Sequence, residues 1–291
     1  MKRPKTWSTA VKPEEKQPVP CAVCGSSWFK PSLSCEGFKY VRCGSCGLVQ
    51  MNPQPLEEEI IGRYSQSENY LAYETAHEES YLQLQLLALK DAGFEKLEKE
   101  SFVSPLLAPR ILDIGCATGS ILLKLRDKGW ETVGVEIGSN QAEYGRRKRN
   151  LDIRSLPLKE NNFSSSSFNV VLASHLIEHI NDPASLVREV HRILIPGGRF
   201  FLTTPNIAGF QARLFGNQWR SAIFDHLYLF SVKTLSRLLD NAGFVLEKTV
   251  TWGGLAAGTA PAAIKRLFDK AAKRFGFGDV MIIRSMKKHE T

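Results

Sequence analysis

Apolar and polar positions alternate in two different ways along the chain, and the change comes near residue 110. Residues 1–19 are rich in proline and lysine and lack periodic apolar positions, which predicts a disordered basic tail. Met51–Gln54, with two prolines nearby, reads as a hinge. Leu56–Tyr64 and then roughly Ser67–Glu100 carry helical spacing, with Tyr81, Leu84, Leu87 and Leu97 among the apolar positions. Ser101–Pro109 breaks that run.

From Arg110 onward, short apolar strands alternate with amphipathic helices. Strands are expected at Arg110–Ile114, Glu131–Glu136, Leu151–Arg154, Phe168–Ala173, Arg199–Thr203, Phe244–Thr251 and Asp279–Ser285. Helices are expected at Ser120–Lys128, Asn140–Arg149, Pro183–Leu194, Val232–Ala242 and Ala262–Phe275. Pro196-Gly-Gly stops the third of these and Gly243 closes the fourth; Ser164–Ser167 reads as a polar loop. Such alternation predicts an α/β fold, a parallel sheet covered on both faces by helices. Ligands of such sheets sit at the carboxyl ends of the strands.

Cysteine spacing adds a second module. Five of the six cysteines lie within residues 21–46, as Cys21-x-x-Cys24-Gly25 and Cys43-x-x-Cys46-Gly47, with eighteen residues between Cys24 and Cys43. Two thiolates three residues apart reach one ion if the chain turns tightly, and the following glycine supplies the positive φ of that turn. Four sulfurs make a closed tetrahedral shell, as in a structural zinc ribbon over residues 20–52; metal-free reduced thiols are the alternative. A module this small draws its folding energy from the metal. Cys35 is expected mid-loop, as a bystander.

Composition excludes several classes. With 43% hydrophobic and 10% aromatic residues the chain is globular. Its longest weakly apolar stretch, around Gly253–Ile264, is short of the ~20 residues of a spanning helix. The first residues lack the apolar core of a signal peptide, so a cytoplasmic location is expected. The net charge of +8 sits at the ends: five basic against two acidic residues in 1–20, eight against three in 261–291, and 25 of each between. Because the body is neutral, no nucleic-acid partner is expected.

The turn after the first strand reads Asp113-Ile-Gly115-Cys116-Ala117-Thr118-Gly119. Glycines here let backbone approach a ligand at a helix N-terminus, yet the spacing is not G-x-G-x-x-G, which disfavours NAD. Glu136 ends the second strand, where a carboxylate can accept both hydroxyls of a ribose.

LDIGCATG followed by VGVE resembles motifs I and II of the class I S-adenosylmethionine-dependent methyltransferases, of the type 11 and 23 kinds. FNVVLASHLIEHINDP, HRILIPGGRFFLTTPN and DHLYLFSVKTLSRLLDNAGF resemble their later segments, so the likeness covers about residues 108–250. It implies a Rossmann-like seven-stranded sheet over residues 106–291, with 53–105 as a helical linker or lid. With the ribbon, the whole chain resembles bacterial methyltransferases often associated with small-molecule or surface-glycan pathways. The resemblance implies that Asp113 holds the methionine amino group, that Gly115, Cys116, Ala117 and Gly119 line the methionine and ribose, and that Glu136 binds the ribose hydroxyls with Ile137 on the adenine. Relatives often carry an acidic residue after the third strand for the adenine; this chain has Leu156, Pro157 and Leu158 there.

Methyl transfer needs an in-line approach, and a base when the nucleophile is a hydroxyl or an acidic carbon. His175, Glu178 and His179 follow the fourth strand at a spacing that suits one face of a short helix, and His226 comes later. In one reading His175 or His179 is the general base. In another, His175, Glu178, His179 and His226 hold a divalent ion that activates the acceptor oxygen; in a third, the pair braces the structure. Phe210–Trp219 and Phe224–Phe230 are aromatic-rich, and Trp219 and Arg220 are candidate walls of a substrate pocket. The 261–275 segment is amphipathic and basic, as in a membrane-surface helix or an ordinary helix on a sheet edge.

The expected function is S-adenosylmethionine-dependent methylation of a small molecule or glycan, at oxygen or at carbon. An rRNA or tRNA methyltransferase gripping RNA with the ribbon is the enzymatic alternative, against which stands the absence of an N-P-P-[YF] motif after the fourth strand. A non-catalytic ribbon module on a dead fold is the third.

Overall fold

A computed structural model describes residues 16–35, 37–65, 68–101, 108–255 and 261–288. The expected tail lies outside the described residues up to residue 15; Lys16–Gln17 (β1) instead pair with Gln54–Pro55 (β5). The ribbon strands are Phe29–Cys35 (β2), Phe38–Cys43 (β3) and Val49–Met51 (β4). Helices Glu57–Ser65 (α1), Glu68–Asp91 (α2) and Phe94–Ser101 (α3) follow. The expected 67–100 helix is therefore two, because Gly93 turns the chain at φ +87°.

The body runs Arg110–Ile114 (β6), Ser120–Arg126 (α4), Glu131–Val135 (β7), Ser139–Arg149 (α5), Asp152–Arg154 (β8), Phe168–Ser174 (β9), Pro183–Ile193 (α6), Leu194–Pro205 (β10), Phe210–Phe215 (α7), Tyr228–Leu229 (β11), Val232–Asn241 (α8), Phe244–Trp252 (β12), Ala262–Phe275 (α9) and Val280–Lys287 (β13). Seven strands form one sheet in the order β12-β13-β10-β9-β6-β7-β8. It is mixed rather than wholly parallel: β13 runs antiparallel to both β10 and β12.

Period-two alternation assigns each strand residue to a face. Leu112, Ile114, Val133, Val135, Val171, Ala173, Phe200 and Leu202 pack on one side, with Leu186 and Val190 of α6 and Leu235 and Leu238 of α8. Ile111, Val170, Leu172 and Phe201 pack on the other, with Leu82, Leu89, Phe94, Ile121, Leu125 and Ala142 from the earlier helices. The helices begin where polar caps allow. Asp182 accepts the Ser185 N–H at 2.8 Å with Pro183 at the first position, and Ser231 and Thr234 form a capping box.

The ribbon is not a separate bead. β11, from the second half of the chain, pairs with β4 as Tyr228↔Gln50 and Leu229↔Val49, giving a four-stranded sheet ordered β11-β4-β3-β2. Tyr40, Leu48, Val49 and Met51 share a core with Leu227, Tyr228 and Phe230. Cys35 lies at the end of β2, opposite Phe38, and not mid-loop. Met51–Gln54, expected as a hinge, joins β4 to β5 and is pinned by Asn52, whose side chain bonds both backbone groups of Val19.

α2 crosses the body beside the cofactor-type loop. Glu78 accepts from Arg149 at 2.5 Å and from the Thr118 hydroxyl. α9 rests on β12, with the Thr251 hydroxyl donating to the Ala272 carbonyl at 2.8 Å. Ala272 is its buried residue, whereas Ile264, Leu267 and Phe275 are exposed. Among the described residues, no helix is long and apolar enough to cross a membrane.

Candidate functional site

The carboxyl ends of β6 and β7 meet at a loop of left-handed residues, Gly115 (φ +73°), Ala117 (φ +50°) and Gly119 (φ +78°). The N–H groups of Gly115 and Cys116 both donate to the Val135 carbonyl, at 2.8 and 3.2 Å, folding the turn over the end of β7. β7 makes room with Gly134, where a Cβ would lie 2.6 Å from Cys116 Sγ. Leu176 covers the turn from the other side, 3.1 Å from where a Cβ on Gly115 would be.

Two carboxylates sit under this loop. Asp113 is buried, and its Oδ1 has no hydrogen-bond partner. Burial, and secondarily the Glu136 carboxylate, push its carboxyl up to about 8. Glu136 accepts the Ala117 N–H at 2.9 Å through Oε2 and the Gly138 N–H at 2.7 Å through Oε1. Burial raises its carboxyl as well, and those two amides oppose the rise. A carboxylate with one bond per oxygen retains lone pairs for two hydroxyl donors. An orphaned buried carboxylate oxygen calls for a cation or a strong donor. Together the two groups fit a ligand carrying an ammonium at one end and a vicinal diol at the other. Ile137, beside Glu136, is half-buried, and Leu156 is exposed.

A second cluster lies after β9. His175, Glu178 and His179 do not share a helical face as the spacing predicted: His175 is left-handed at φ +52°, and Ile177–His179 form a 3-10 turn. His175 is half-exposed, with Nδ1 3.4 Å from Glu178 Oε1. Glu178 points inward and accepts the Thr204 hydroxyl at 2.8 Å. Burial would raise the Glu178 carboxyl; the adjacent imidazole of His175 and those of His179 and His226 outweigh this and hold it at about 2. His226 reaches the cluster from the loop before β11, its ring 4.7 Å from that of His179.

The four cysteines converge. Cys21 Sγ lies 3.4 Å from Cys46 Sγ and Cys24 Sγ 3.5 Å from Cys43 Sγ, all four within 4.8 Å of one another. Tetrahedral zinc with bonds of about 2.3 Å sets sulfurs about 3.8 Å apart, so the set fits that ion. Burial opposes ionisation of Cys43, but the N–H groups of Cys46 and Ser45 and the neighbouring thiols bring it down to about 6.

Trp219, a candidate pocket wall, is buried, and its indole N–H donates to Asp279 at 2.5 Å. Arg220 donates to the other Asp279 oxygen at 2.6 Å. Asp279, fully buried, anchors the indole from inside, whereas the Arg220 side chain reaches it from the surface and stays exposed. Tyr40 and Thr204 also build the site and were not among the predicted residues. Both act through hydrogen bonds to segments distant in sequence, which leave no local pattern.

The family profile described as "Methyltransferase domain" matches residues 79–249. The ubiquinone biosynthesis O-methyltransferase of Acinetobacter baumannii (strain AYE) is 28% identical over 108 residues, 35% of this chain and 46% of that protein. Its Pseudomonas aeruginosa (strain LESB58) counterpart is 31% identical over 109 residues, with the same coverage. The chain thus spans less than half the length of these curated relatives. Among solved structures, a chain from the complex between the Haloferax volcanii Trm112 methyltransferase activator and its methyltransferase superposes with a TM-score of 0.56 at 16% identity, covering 77% of this chain and all of that one. A SAM-dependent methyltransferase from Thermotoga maritima gives 0.50 at 24% identity, covering 74% and 98%.

Proposed function

Because the chain belongs to the methyltransferase-domain family, we propose that it transfers the methyl group of S-adenosylmethionine to a hydroxyl oxygen of a small-molecule or glycan acceptor. The observation that carries this reading is the buried Asp113 Oδ1 without a partner, beside Glu136 and under the left-handed loop. Asp113 would hold the methionine ammonium and Glu136 the ribose hydroxyls, with the backbone of Gly115, Cys116, Ala117 and Gly119 around them and Ile137 against the adenine. Bound there, S-adenosylmethionine supplies an electrophilic methyl on a sulfonium. The acceptor oxygen forms its bond to the methyl carbon as the carbon–sulfur bond breaks, leaving S-adenosylhomocysteine. The acceptor proton passes to His175, whose half-exposed imidazole stands at the end of β9 next to Leu176 on the loop. Glu178 orients that ring from the interior. The choice of oxygen rests on the curated relatives, which are O-methyltransferases by name.

The ribbon takes a structural zinc on Cys21, Cys24, Cys43 and Cys46 in this reading. Its role as an RNA grip is disfavoured, since its sheet is extended by β11 and its apolar side is spent on the body core. Calorimetry with S-adenosylhomocysteine tests the proposal. Binding that Glu136→Ala weakens at least tenfold supports it, and absence of binding to the wild type overturns it.

A further inference from the structure

Glu178, His179 and His226 each bring a ligand atom within 4.8 Å of the others, on the inner side of the turn that carries His175. We propose that these three residues form a binding site for a divalent transition-metal ion, separate from the four cysteines and with positions open to an outside ligand.

Hydrogen bonding fixes the tautomers. His179 Nδ1 lies 2.8 Å from the Asp225 carbonyl and His226 Nδ1 lies 2.8 Å from the Ser221 carbonyl. A carbonyl only accepts, so each Nδ1 carries the proton and each Nε2 carries the lone pair. Imidazoles anchored at one nitrogen by backbone oxygen and presenting the other are in the arrangement that metal-ligating histidines adopt. Glu178 is anchored likewise. Thr204 donates to Oε2, whereas Oε1 of this fully buried side chain has no hydrogen-bond partner and lies 3.4 Å from His175 Nδ1.

The site is prebuilt from two distant segments. Leu227 N–H donates to the Glu178 carbonyl at 2.7 Å, and Tyr40 of the ribbon binds the carbonyls of Ile223 and His226 at 2.5 and 2.8 Å. Those bonds hold the His226 loop against the His179 turn without help from a ligand.

Two nitrogens and one carboxylate favour zinc, iron, cobalt or nickel over magnesium or calcium, which prefer oxygen shells. Three protein donors leave at least one position for an exogenous oxygen. His175, half-exposed, lies beside the cluster. Metal binding stands apart from the methyl-transfer reading; only the corollary, that a coordinated acceptor hydroxyl loses its proton more easily, rests on it.

The test is a cobalt(II) titration of the full chain after chelator treatment under reducing conditions. The expected result is about two equivalents bound, one giving the intense charge-transfer absorption of four thiolates and one giving weaker ligand-field bands without sulfur character. His226→Gln and Glu178→Gln should each abolish the second set and leave the thiolate band. Saturation of the wild type at one equivalent with thiolate absorption alone overturns the proposal, as does a second set unchanged in both variants. The wild-type titration decides the matter even if a variant fails to fold. Intact S-adenosylhomocysteine binding with no second metal would sink this proposal and leave the methyltransferase reading standing.

Discussion

The Tyr40 hydroxyl lies 2.8 Å from the His226 carbonyl oxygen, across 186 residues of sequence. Through that bond and its partner to Ile223, the ribbon fixes the loop that completes the histidine cluster. Tyr40→Phe keeps the ring and removes the donor to the buried His226 carbonyl, at a cost of about 1–3 kcal/mol, while the Ile223 carbonyl keeps the His226 N–H. The expected outcome is a lower Tm and slower turnover, with S-adenosylhomocysteine affinity unchanged because the β6–β7 loop is untouched. A thermal melt beside a calorimetric titration separates the two effects.

Asp113 sets a pH dependence. Its carboxyl titrates near 3.8 unfolded and is pushed up to about 8 when folded. Between those values the unfolded chain releases a proton that the native chain keeps, so this group lowers stability as pH rises through the window. A ligand ammonium reverses the preference and expels the proton. S-adenosylhomocysteine affinity should therefore rise from pH 6 to 8, by up to about tenfold per unit, with proton release visible as a buffer-dependent binding enthalpy. Asp113→Asn should bind weakly, with a flat profile; a flat profile in the wild type would exclude Asp113 from the site.

Gly134→Ala tests the packing beneath the loop. The new methyl would sit 2.6 Å from Cys116 Sγ and 2.9 Å from Leu122 Cδ1. Overpacking of this kind costs about 1–3 kcal/mol. Cofactor affinity should drop with it, and adding Cys116→Ala should restore part of both, as a double-mutant cycle would measure.

Cys43→Ser removes one ribbon ligand. Zinc content should fall by about one equivalent, and stability by more than about 3 kcal/mol, because the ribbon and the body share a core. Metal analysis with a denaturant titration checks both. A variant as stable as the wild type would show that the sulfurs carry no structural ion.

Much of this was legible in the chain. Strands such as Phe168–Ser174 are short and apolar, and the Gly115–Gly119 turn and the cysteine knuckles are local, so their chemistry is written in neighbouring residues. What spacing could not convey was the conformation of single residues and the partners of distant ones. His175, Glu178 and His179 have helical spacing, but a left-handed φ at His175 and a 3-10 turn bring them together without an α-helix. The sequence carries no sign that Trp219 and Arg220 both bond Asp279, some sixty positions on. Likewise β13 reads as one more strand of an alternating series, and only its register reveals the opposite direction.

The pairing of β11 with β4 has a consequence for the order of events on the ribosome. The ribbon emerges early, yet the strand that covers its outer edge is made some 180 residues later. Until then β4 presents an unpaired edge and Tyr40, Val49 and Met51 lack their native neighbours. The cysteines are the part of the ribbon whose partners are all close in sequence, so ion capture is the step that can hold the nascent module closed while the rest of the chain is synthesised.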